Sequence, residues 1–194
     1  MNLGGIILAA GESRRMGTPK MLLRVEGRSF VEVIAGRMRE AGVGRVLVVV
    51  GAGWDRIDGR VHPEGVEWVL NEDYERGQLS SLWCGLGAMR DESGALMTLV
   101  DHPLVKAETY QNLIKQFKKN RQCIVIPTYH GRRGHPILFG SEHFSEFLNA
   151  PLDVGARWVL RSGGVPVLEV PVEDPGVRAD IDTPGDYRSM IGEG

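Results

Sequence analysis

The alternation of short apolar runs with amphipathic segments constrains the fold of this chain more than any other feature. Five runs are apolar over most of their length, as strands buried on both faces of a sheet are. They are Leu3–Ala10, Val46–Val50, Val66–Leu70, Ala95–Val100 and Cys123–Pro127. Between them, the segments Ser29–Ala41, Ser80–Met89 and Lys106–Lys119 carry apolar residues at helical spacing. Strand–helix–strand alternation produces crossover units, so the pattern predicts an α/β protein with a mainly parallel sheet between two helical layers.

The pattern changes after the fifth apolar run. His130–Phe139 is compatible with a β-excursion, and Glu142–Asn149 and Val154–Arg161 with short helices. Val165–Pro171 reads as another strand, and Thr183–Ile191 opens with Thr-Pro, a favourable start for a helix. There is no repeat, low-complexity tract or long polar linker, so we expect a single domain over residues 1–194.

Composition excludes several classes of function. The 23 basic and 25 acidic side chains give a net charge of −2, so the chain is not a polycation built for nucleic acid. The apolar run Ile6–Ala10 is far shorter than the roughly 20 residues of a membrane span. Cys84 and Cys123 lie far apart in no metal-binding spacing, and we expect both thiols to be reduced. These features predict a cytoplasmic protein with no membrane or nucleic-acid partner.

The segment after the first strand carries the strongest chemical signal, Leu8-Ala9-Ala10-Gly11-Glu12-Ser13-Arg14-Arg15-Met16-Gly17-Thr18-Pro19-Lys20. It fails the phosphate-loop, nucleophile-elbow and dinucleotide templates, each at a defining position. What remains is a small-residue loop, which lets the backbone approach a ligand, followed by three cations: Arg14, Arg15 and Lys20. These are the components of a polyphosphate-binding loop, although a solvated basic turn would have the same composition.

This segment resembles the signature L-A-A-G-x-S-x-R-M-G-x-x-K of the nucleotidyltransferases with a glycosyltransferase-A-like fold, and it matches at all nine fixed positions. The resemblance implies the Rossmann-like, three-layer α/β/α architecture of the nucleotide-diphospho-sugar transferases. It also implies that Leu8, Ala9, Ala10 and Gly11 bind the nucleotide. Arg15 and Lys20 would be the catalytic cations, with Arg15 on the triphosphate and Lys20 on the α-phosphate.

A second segment also resembles this family. Asn71 follows the third apolar run, and Gly77-Gln78-Leu79-Ser80-Ser81-Leu82 looks like the family's N-x(5)-G-x-x-x-S-L element. The resemblance implies that Asn71, Ser80 and Ser81 bind the nucleoside. Exposed N–H groups and hydroxyls at a helix start suit that role. On residue type alone, either serine could equally be a simple helix cap.

Two aspartates are candidate metal ligands. Asp101 directly follows a buried apolar run, where its carboxylate could hold Mg²⁺, although an Asp before a helix is also a common N-cap. The family's D-x-P element implies the metal role for Asp101. Asp180-Ile181-Asp182-Thr183-Pro184 resembles the second metal element, and we favour Asp182 over Asp180 because it immediately precedes the Thr-Pro start. Asp182 could also be a cap. The implied cofactor is Mg²⁺ or Mn²⁺.

The second half of the chain indicates the branch of the family. Gly131-Arg132-Arg133-Gly134-His135-Pro136 and Asp153-Val154-Gly155-Ala156-Arg157 resemble the G-x-R-G-H-P and D-x-G-A-R segments of the molybdenum cofactor cytidylyltransferases, MobA-like NTP transferases. The resemblance implies that Arg132, Arg133, His135 and Arg157 bind the acceptor, and arginine suits a phosphate. His135 could instead be a loop histidine held by a backbone carbonyl. Ala10 gives L-A-A-G, which accompanies CTP, whereas guanylyl relatives have L-A-G-G.

The resemblance implies a Mg-dependent transfer of CMP from CTP to the phosphate of molybdopterin, with release of pyrophosphate. Residues 1–105 would bind the nucleotide and residues 106–194 the acceptor. The resemblance also implies a molybdoenzyme or its maturation chaperone as a partner. Two alternatives stay open: a guanylyl- or sugar-phosphate nucleotidyltransferase of the same fold, or a non-catalytic molybdopterin carrier. A carrier has no use for the triphosphate-binding cations.

Overall fold

The computed structural model describes residues 1–57, 63–89 and 91–192. Ten strands are formed in this part of the chain. They are β1 (Leu3–Leu8), β2 (Arg24–Val25), β3 (Arg28–Ser29), β4 (Arg45–Val50), β5 (Val66–Leu70), β6 (Gly94–Leu99), β7 (Ile124–Tyr129), β8 (Arg132–Arg133), β9 (Ile137–Gly140) and β10 (Val167–Pro171). The described α-helices are α1 (Phe30–Glu40), α2 (Trp54–Ile57), α3 (Gln78–Gly87), α4 (Ala107–Lys119), α5 (Phe144–Leu148), α6 (Arg157–Arg161) and α7 (Pro184–Ile191).

The main sheet has the strand order β10-β7-β9-β6-β1-β4-β5, and the short strand β8 pairs with β7. Strand β1 lies parallel to both β4 and β6, with Leu8 opposite Val49 on one side and Leu99 on the other. Strand β9 runs antiparallel to its neighbours β6 and β7. Strands β1, β4, β5, β6, β7 and β10 therefore end at the same edge of the sheet, where an α/β protein binds ligands.

Two buried clusters lie on opposite faces of this sheet. On one face, Ile7 packs with Phe30 of α1 and Tyr110 of α4. On the other face, Ile6 packs with Leu82 of α3 and Phe147 of α5. Neighbouring residues of β1 thus contribute to different clusters, as a strand covered on both sides must do. The three-layer α/β/α arrangement predicted from the sequence is confirmed, with two reversed strands, β8 and β9, in the mainly parallel sheet.

The observed elements differ from the predicted ones mainly at their ends. Helix α3 begins at Gln78 rather than Ser80, and β1 ends at Leu8 rather than Ala10. The predicted β-excursion divides into β8 and β9, which are separated by residues 134–136. The hairpin of β2 and β3 and the short helix α2 were not predicted, because each is too short to show a period. Among the described residues, no helix is long and apolar enough to cross a membrane.

A candidate active site at the carboxyl ends of the strands

Two adjoining cavities open at the carboxyl edge of the sheet. The smaller one, about 280 Å³, is lined by Leu8, Ala9, Ala10 and Gly11 together with Arg15, Lys20 and Ser81. The larger one, about 830 Å³, is lined by Arg132, Arg133, His135 and Arg157. Asp101 and Asp182 line both cavities. Five of the residues predicted to bind nucleotide and all four predicted to bind the acceptor therefore face neighbouring spaces that meet at the two aspartates.

Lys20 is the centre of the ion-pair cluster at this junction. Its Nζ lies 2.9 Å from Asp101 Oδ2 and 2.5 Å from Asp182 Oδ1. Arg15 donates from its guanidinium to the other oxygen of Asp182 at 2.8 Å. The Lys20 side chain is only 13% exposed, whereas that of Arg15 is 70% exposed. The first cation is thus fixed between two carboxylates, and the second is free to reorient toward solvent or a ligand.

The local fold brings these residues together from three distant segments. Asp101 follows the end of β6, and its carbonyl accepts a hydrogen bond from Ile181 N at 3.1 Å. That bond places the next residue, Asp182, beside Asp101. Thr183 then caps α7 and forms a capping box with Asp186. In the loop after β1, Ser13 adopts a φ of 52° and its Oγ accepts from Lys20 N at 3.1 Å, which holds the lysine backbone against the loop.

The ionisation of the cluster follows from its contacts. Burial alone would lower the pKa of Lys20, but hydrogen bonds to Asp182 and Asp101 outweigh it and raise that pKa. The hydrogen bond from Lys20 in turn lowers the pKa of the Asp182 carboxyl, with a smaller contribution from Arg15. Lysine and aspartate are therefore both charged at neutral pH. The junction holds fixed charges of both signs, which suits a polyphosphate together with a cation.

The donor set fits a magnesium or manganese ion. Asp101 Oδ1 is buried and has no hydrogen-bond partner among the described residues, so one carboxylate oxygen is uncommitted. In the same part of the chain, no group of three or more His, Cys, Asp or Glu side chains is arranged to hold a metal. Mg²⁺ is commonly held by one or two carboxylates and keeps waters and substrate phosphates as its other ligands. Asp101 and Asp182 meet that requirement together with a nucleotide.

Asn71, Ser80 and Ser81 form one buried hydrogen-bonded group beside the smaller cavity. Asn71 Nδ2 donates to the Oγ atoms of both serines at 3.0 Å, and its Oδ1 accepts from Asp73 N at 3.0 Å. Ser80 Oγ also donates to the carbonyl of Gly77 at 2.8 Å. Of the three, only Ser81 lines the cavity. Asn71 and Ser80 therefore brace the start of α3, and their contact with a nucleoside stays a prediction.

The four predicted acceptor residues line the larger cavity, and its three arginines differ in whether they form an ion pair. Arg133 is paired with Glu169 of β10, with 2.7 Å between Nε and Oε1. Arg132 and Arg157 form no ion pair with any residue in the described ranges. The His135 ring lies 4.9 Å from that of His102, centroid to centroid. Burial, and to a smaller extent the neighbouring His102, lowers the pKa of His135 to about 3, so its imidazole is neutral.

Three residues at the junction were not predicted as site residues. His102 is 3% exposed, and its Nε2 lies 2.9 Å from Asp180 Oδ1. The hydrogen bond from His102 lowers the pKa of Asp180. Gln78, the first residue of α3, lines both cavities. His102 stands in the Asp101-His102-Pro103 element, and Asp180 was weighed as a metal ligand, but their mutual contact has no signal in the sequence.

A family model and several known proteins match most of this sequence. Residues 5–167 match the model of the MobA-like NTP transferase domain. Nicotine blue oxidoreductase of Paenarthrobacter nicotinovorans is 31% identical over 188 residues, which cover 92% of this chain and 91% of that protein. Molybdenum cofactor cytidylyltransferase of Escherichia coli strain K12 is 26% identical over 183 residues, which cover 94% of this chain and 92% of that protein. The similarity thus spans both cavities.

Solved structures show the same fold. Rv0371c of Mycobacterium tuberculosis H37Rv is 28% identical and superposes with a TM-score of 0.86, covering 99% of this chain and 98% of that one. A complex of the same protein with manganese is 26% identical in its aligned residues, with a TM-score of 0.81 and coverage of 100% of both chains. The glycosyltransferase-A-like architecture expected from the signature is therefore confirmed.

Proposed function

We propose that this chain, which belongs to the MobA-like NTP transferase family, transfers CMP from CTP to the phosphate of molybdopterin and releases pyrophosphate. The observation that carries the proposal is the junction of the two cavities. A lysine and an arginine lie there beside two carboxylates, between a small cavity lined by the signature loop and a larger cavity lined by arginines. A donor and an acceptor bound in these spaces would meet at the charged cluster.

In the proposed reaction, an oxygen of the acceptor phosphate attacks the α-phosphorus of CTP, and the bond from that phosphorus to the bridging oxygen of pyrophosphate breaks. A phosphate monoester is already anionic near neutral pH, so no general base is required. Lys20 would neutralise the charge that develops on the α-phosphate, and Arg15, which is mostly exposed, would turn onto the triphosphate. The residues act by positioning and by charge stabilisation.

Asp101 and Asp182 would hold Mg²⁺ or Mn²⁺, and the bound cation would supply further charge neutralisation to the triphosphate. Lys20 contacts both of these carboxylates, so a cation held by them would lie beside its ammonium group and weaken both ion pairs. The triphosphate offers Lys20 a new anionic partner at that moment. Lys20 would therefore pair with the carboxylates in the free protein and with the nucleotide in the complex.

The choice of nucleotide and acceptor rests on the relatives and on the cavity linings. Ala10, which gives the L-A-A-G context that accompanies CTP, lines the smaller cavity. The Escherichia coli relative is named a molybdenum cofactor cytidylyltransferase. Arg132 and Arg157 at the larger cavity suit an acceptor that carries a phosphate.

One relative favours a second candidate function. The 31% identical protein of Paenarthrobacter nicotinovorans is named an oxidoreductase. We rank that activity second, because reduction gives no role to a lysine and an arginine beside two carboxylates. Guanylyl transfer or sugar-phosphate nucleotidyl transfer would use the same charged cluster and would differ in what fills the two cavities.

The test is pyrophosphate release by the purified chain with each of the four ribonucleoside triphosphates, with and without molybdopterin, in the presence of Mg²⁺. We expect release with CTP that depends on molybdopterin. The test variant for the charged cluster is Asp101→Asn, which keeps the size of the side chain and removes its charge. Removing one charge-stabilising group typically costs 10²–10³ in rate, so we expect this variant to lose activity by about that factor.

The other outcomes separate the alternatives. A preference for GTP would assign guanylyl transfer, and release that depends on a sugar phosphate would assign the sugar-phosphate branch. No pyrophosphate from any triphosphate, with molybdopterin bound, would favour a carrier. Oxidation of a nicotinamide cofactor in a parallel assay, with no pyrophosphate released, would favour the oxidoreductase.

A further inference from the structure

Two aspartates of one short segment have different partners. Asp180 and Asp182 stand on either side of Ile181, whose side chain is fully buried. Asp182 contacts Lys20 and Arg15 and lines both cavities. Asp180 lines only the larger cavity, and its partner is His102. The two carboxylates therefore cannot be assigned the same role on the basis of their common element.

His102 has two carboxylates within reach of one nitrogen. Its Nε2 is 2.9 Å from Asp180 Oδ1, a hydrogen-bond distance, and 3.8 Å from Asp101 Oδ1, which is too long for one. An imidazole nitrogen that bonds a carboxylate must carry the proton. His102 Nε2 thus donates to Asp180, and Asp101 Oδ1 keeps no hydrogen-bond partner among the described residues.

His102 has little freedom to find any other acceptor. It is 3% exposed, and its ring packs against His135 at a centroid distance of 4.9 Å. Asp180, by contrast, has a side chain that is 61% exposed, and apolar packing does not hold it in place. If the Asp180 carboxylate were absent, the N–H of His102 would be left beside Asp101 Oδ1, and a small movement would convert 3.8 Å into a hydrogen bond.

We propose that Asp180 is a positioning residue that acts through His102: by accepting the Nε2 hydrogen, it keeps that donor away from Asp101 Oδ1 and leaves this oxygen available to a divalent cation. Asp180 is then not itself a metal ligand. This inference rests on the role of Asp101 in the proposed function. Residues that position a metal ligand without touching the metal typically lower metal affinity by 10–100-fold when they are removed.

The test is binding of Mn²⁺ to the full chain without nucleotide, measured by the electron paramagnetic resonance signal of free Mn²⁺. We expect Asp180→Ala to weaken binding by about tenfold. Asp180→Asn keeps an oxygen that accepts from His102, so its affinity should stay within about threefold of wild type. The double variant Asp180→Ala with His102→Phe removes the N–H that would otherwise bond Asp101 Oδ1, and it keeps an aromatic ring beside His135. It should therefore recover most of the lost affinity for Mn²⁺.

Two controls accompany these variants. Asp91→Ala removes an exposed carboxylate near the opposite edge of the sheet and should leave binding unchanged. Thermal melting establishes that each variant is folded at the assay temperature. Should the double variant fail to fold, the comparison of Asp180→Ala with Asp180→Asn decides the question alone.

The proposal is overturned if Asp180→Asn weakens binding as much as Asp180→Ala, since that is the behaviour of a metal ligand. It is also overturned if a folded double variant binds as weakly as Asp180→Ala. Equal affinities for wild type and Asp180→Ala would reject the positioning role and leave the nucleotidyl transfer untouched. A wild type that bound no Mn²⁺, alone or with CTP, would reject the metal assignment itself and the positioning role with it.

Discussion

The ammonium group of Lys20 lies 2.5 Å from Asp182 Oδ1, and it contacts Asp101 on its other side. In the free protein, the lysine therefore supplies the positive charge that two neighbouring carboxylates need. A divalent cation bound by the same carboxylates would compete with it directly. Binding of a metal and the strength of the Lys20 ion pairs are consequently linked, whatever acceptor is used.

Lys20→Met should separate the two roles of this side chain. We expect Mn²⁺ to bind the variant several-fold more tightly than wild type without nucleotide, because the competing cation is gone. Pyrophosphate release should fall by about 10²–10³, since the charge on the α-phosphate loses its partner. Lys118→Met, on the exposed face of α4, is the matched control and should change neither quantity. Unchanged Mn²⁺ affinity in Lys20→Met would contradict the competition.

Gly51→Ala should narrow the smaller cavity. A Cβ at position 51 would lie 2.6 Å from the Cβ of Tyr74 and 3.0 Å from that of Ala10, and both residues line this cavity. Such crowding costs about 1–3 kcal/mol and shifts the residues it meets. We expect the KM for the nucleotide to rise several-fold with a smaller change in the KM for the acceptor, as measured by initial rates of pyrophosphate release.

Gly36→Ala is the control for this substitution. Position 36 lies in α1, and the nearest atom to an added Cβ is a guanidinium nitrogen of Arg28 at 3.6 Å, an ordinary contact. Alanine in a helix should stabilise the chain by about 0.4–1 kcal/mol without altering either KM. An equal rise in the KM of the nucleotide in both variants would mean that the cavity wall is not the cause.

The sequence predicted the parts of this molecule that depend on local pattern. The period of the apolar residues located the buried strands, and the segment from Leu8 to Lys20 identified the loop at the end of β1 because its residues are contiguous. The reversed strand β9 could not be predicted, since its direction depends on which strands it lies between rather than on its own residues. The start of α3 could not be predicted either, because this helix begins at Gln78 with no capping side chain.

Contacts between distant segments were the main omission in the predicted site. The pairing of His102 with Asp180 joins the end of β6 to the segment before α7, and no spacing in the sequence encodes it. The family resemblance implies that Asn71 and Ser80 bind the nucleoside. In the structure their polar atoms are used by one another and by nearby backbone. Whether a polar side chain faces a cavity or braces it depends on packing, which residue type does not reveal.

His135 should make the stability of the fold sensitive to acid. Its pKa is lowered to about 3 by burial, and it faces His102, Asp180 and Arg157. The unfolded chain binds a proton near the ordinary pKa of about 6.5, whereas the folded chain does not until about 3. The contribution of this group to the free energy of unfolding is therefore fully present above pH 6.5. It is lost progressively as the pH falls toward 3. We expect wild type to lose about 1–2 kcal/mol from this group by pH 5.

The measurement is urea unfolding at pH 7.5 and pH 5. His135→Phe keeps a ring beside His102 and removes the titrating nitrogen, so its loss of stability between the two pH values should be smaller than that of wild type. His130→Phe is a comparison at an exposed loop histidine next to the same cavity region. If His135→Phe and wild type lost the same free energy of unfolding, another group would be responsible for the acid sensitivity.

Arg132 and Arg157 should affect the acceptor and not the nucleotide. Both line only the larger cavity, and neither forms an ion pair within the described part of the chain, so their guanidinium groups can pair with an incoming phosphate. We expect Arg132→Ala and Arg157→Ala each to raise the KM for the acceptor by about tenfold or more, which corresponds to losing one charge-assisted contact of about 1.5–3 kcal/mol. The KM for CTP should stay within about twofold. Arg121→Ala, at an exposed turn after α4, is the control for a lost surface charge. A parallel rise in both KM values would mean that the two cavities are not separate binding sites for donor and acceptor.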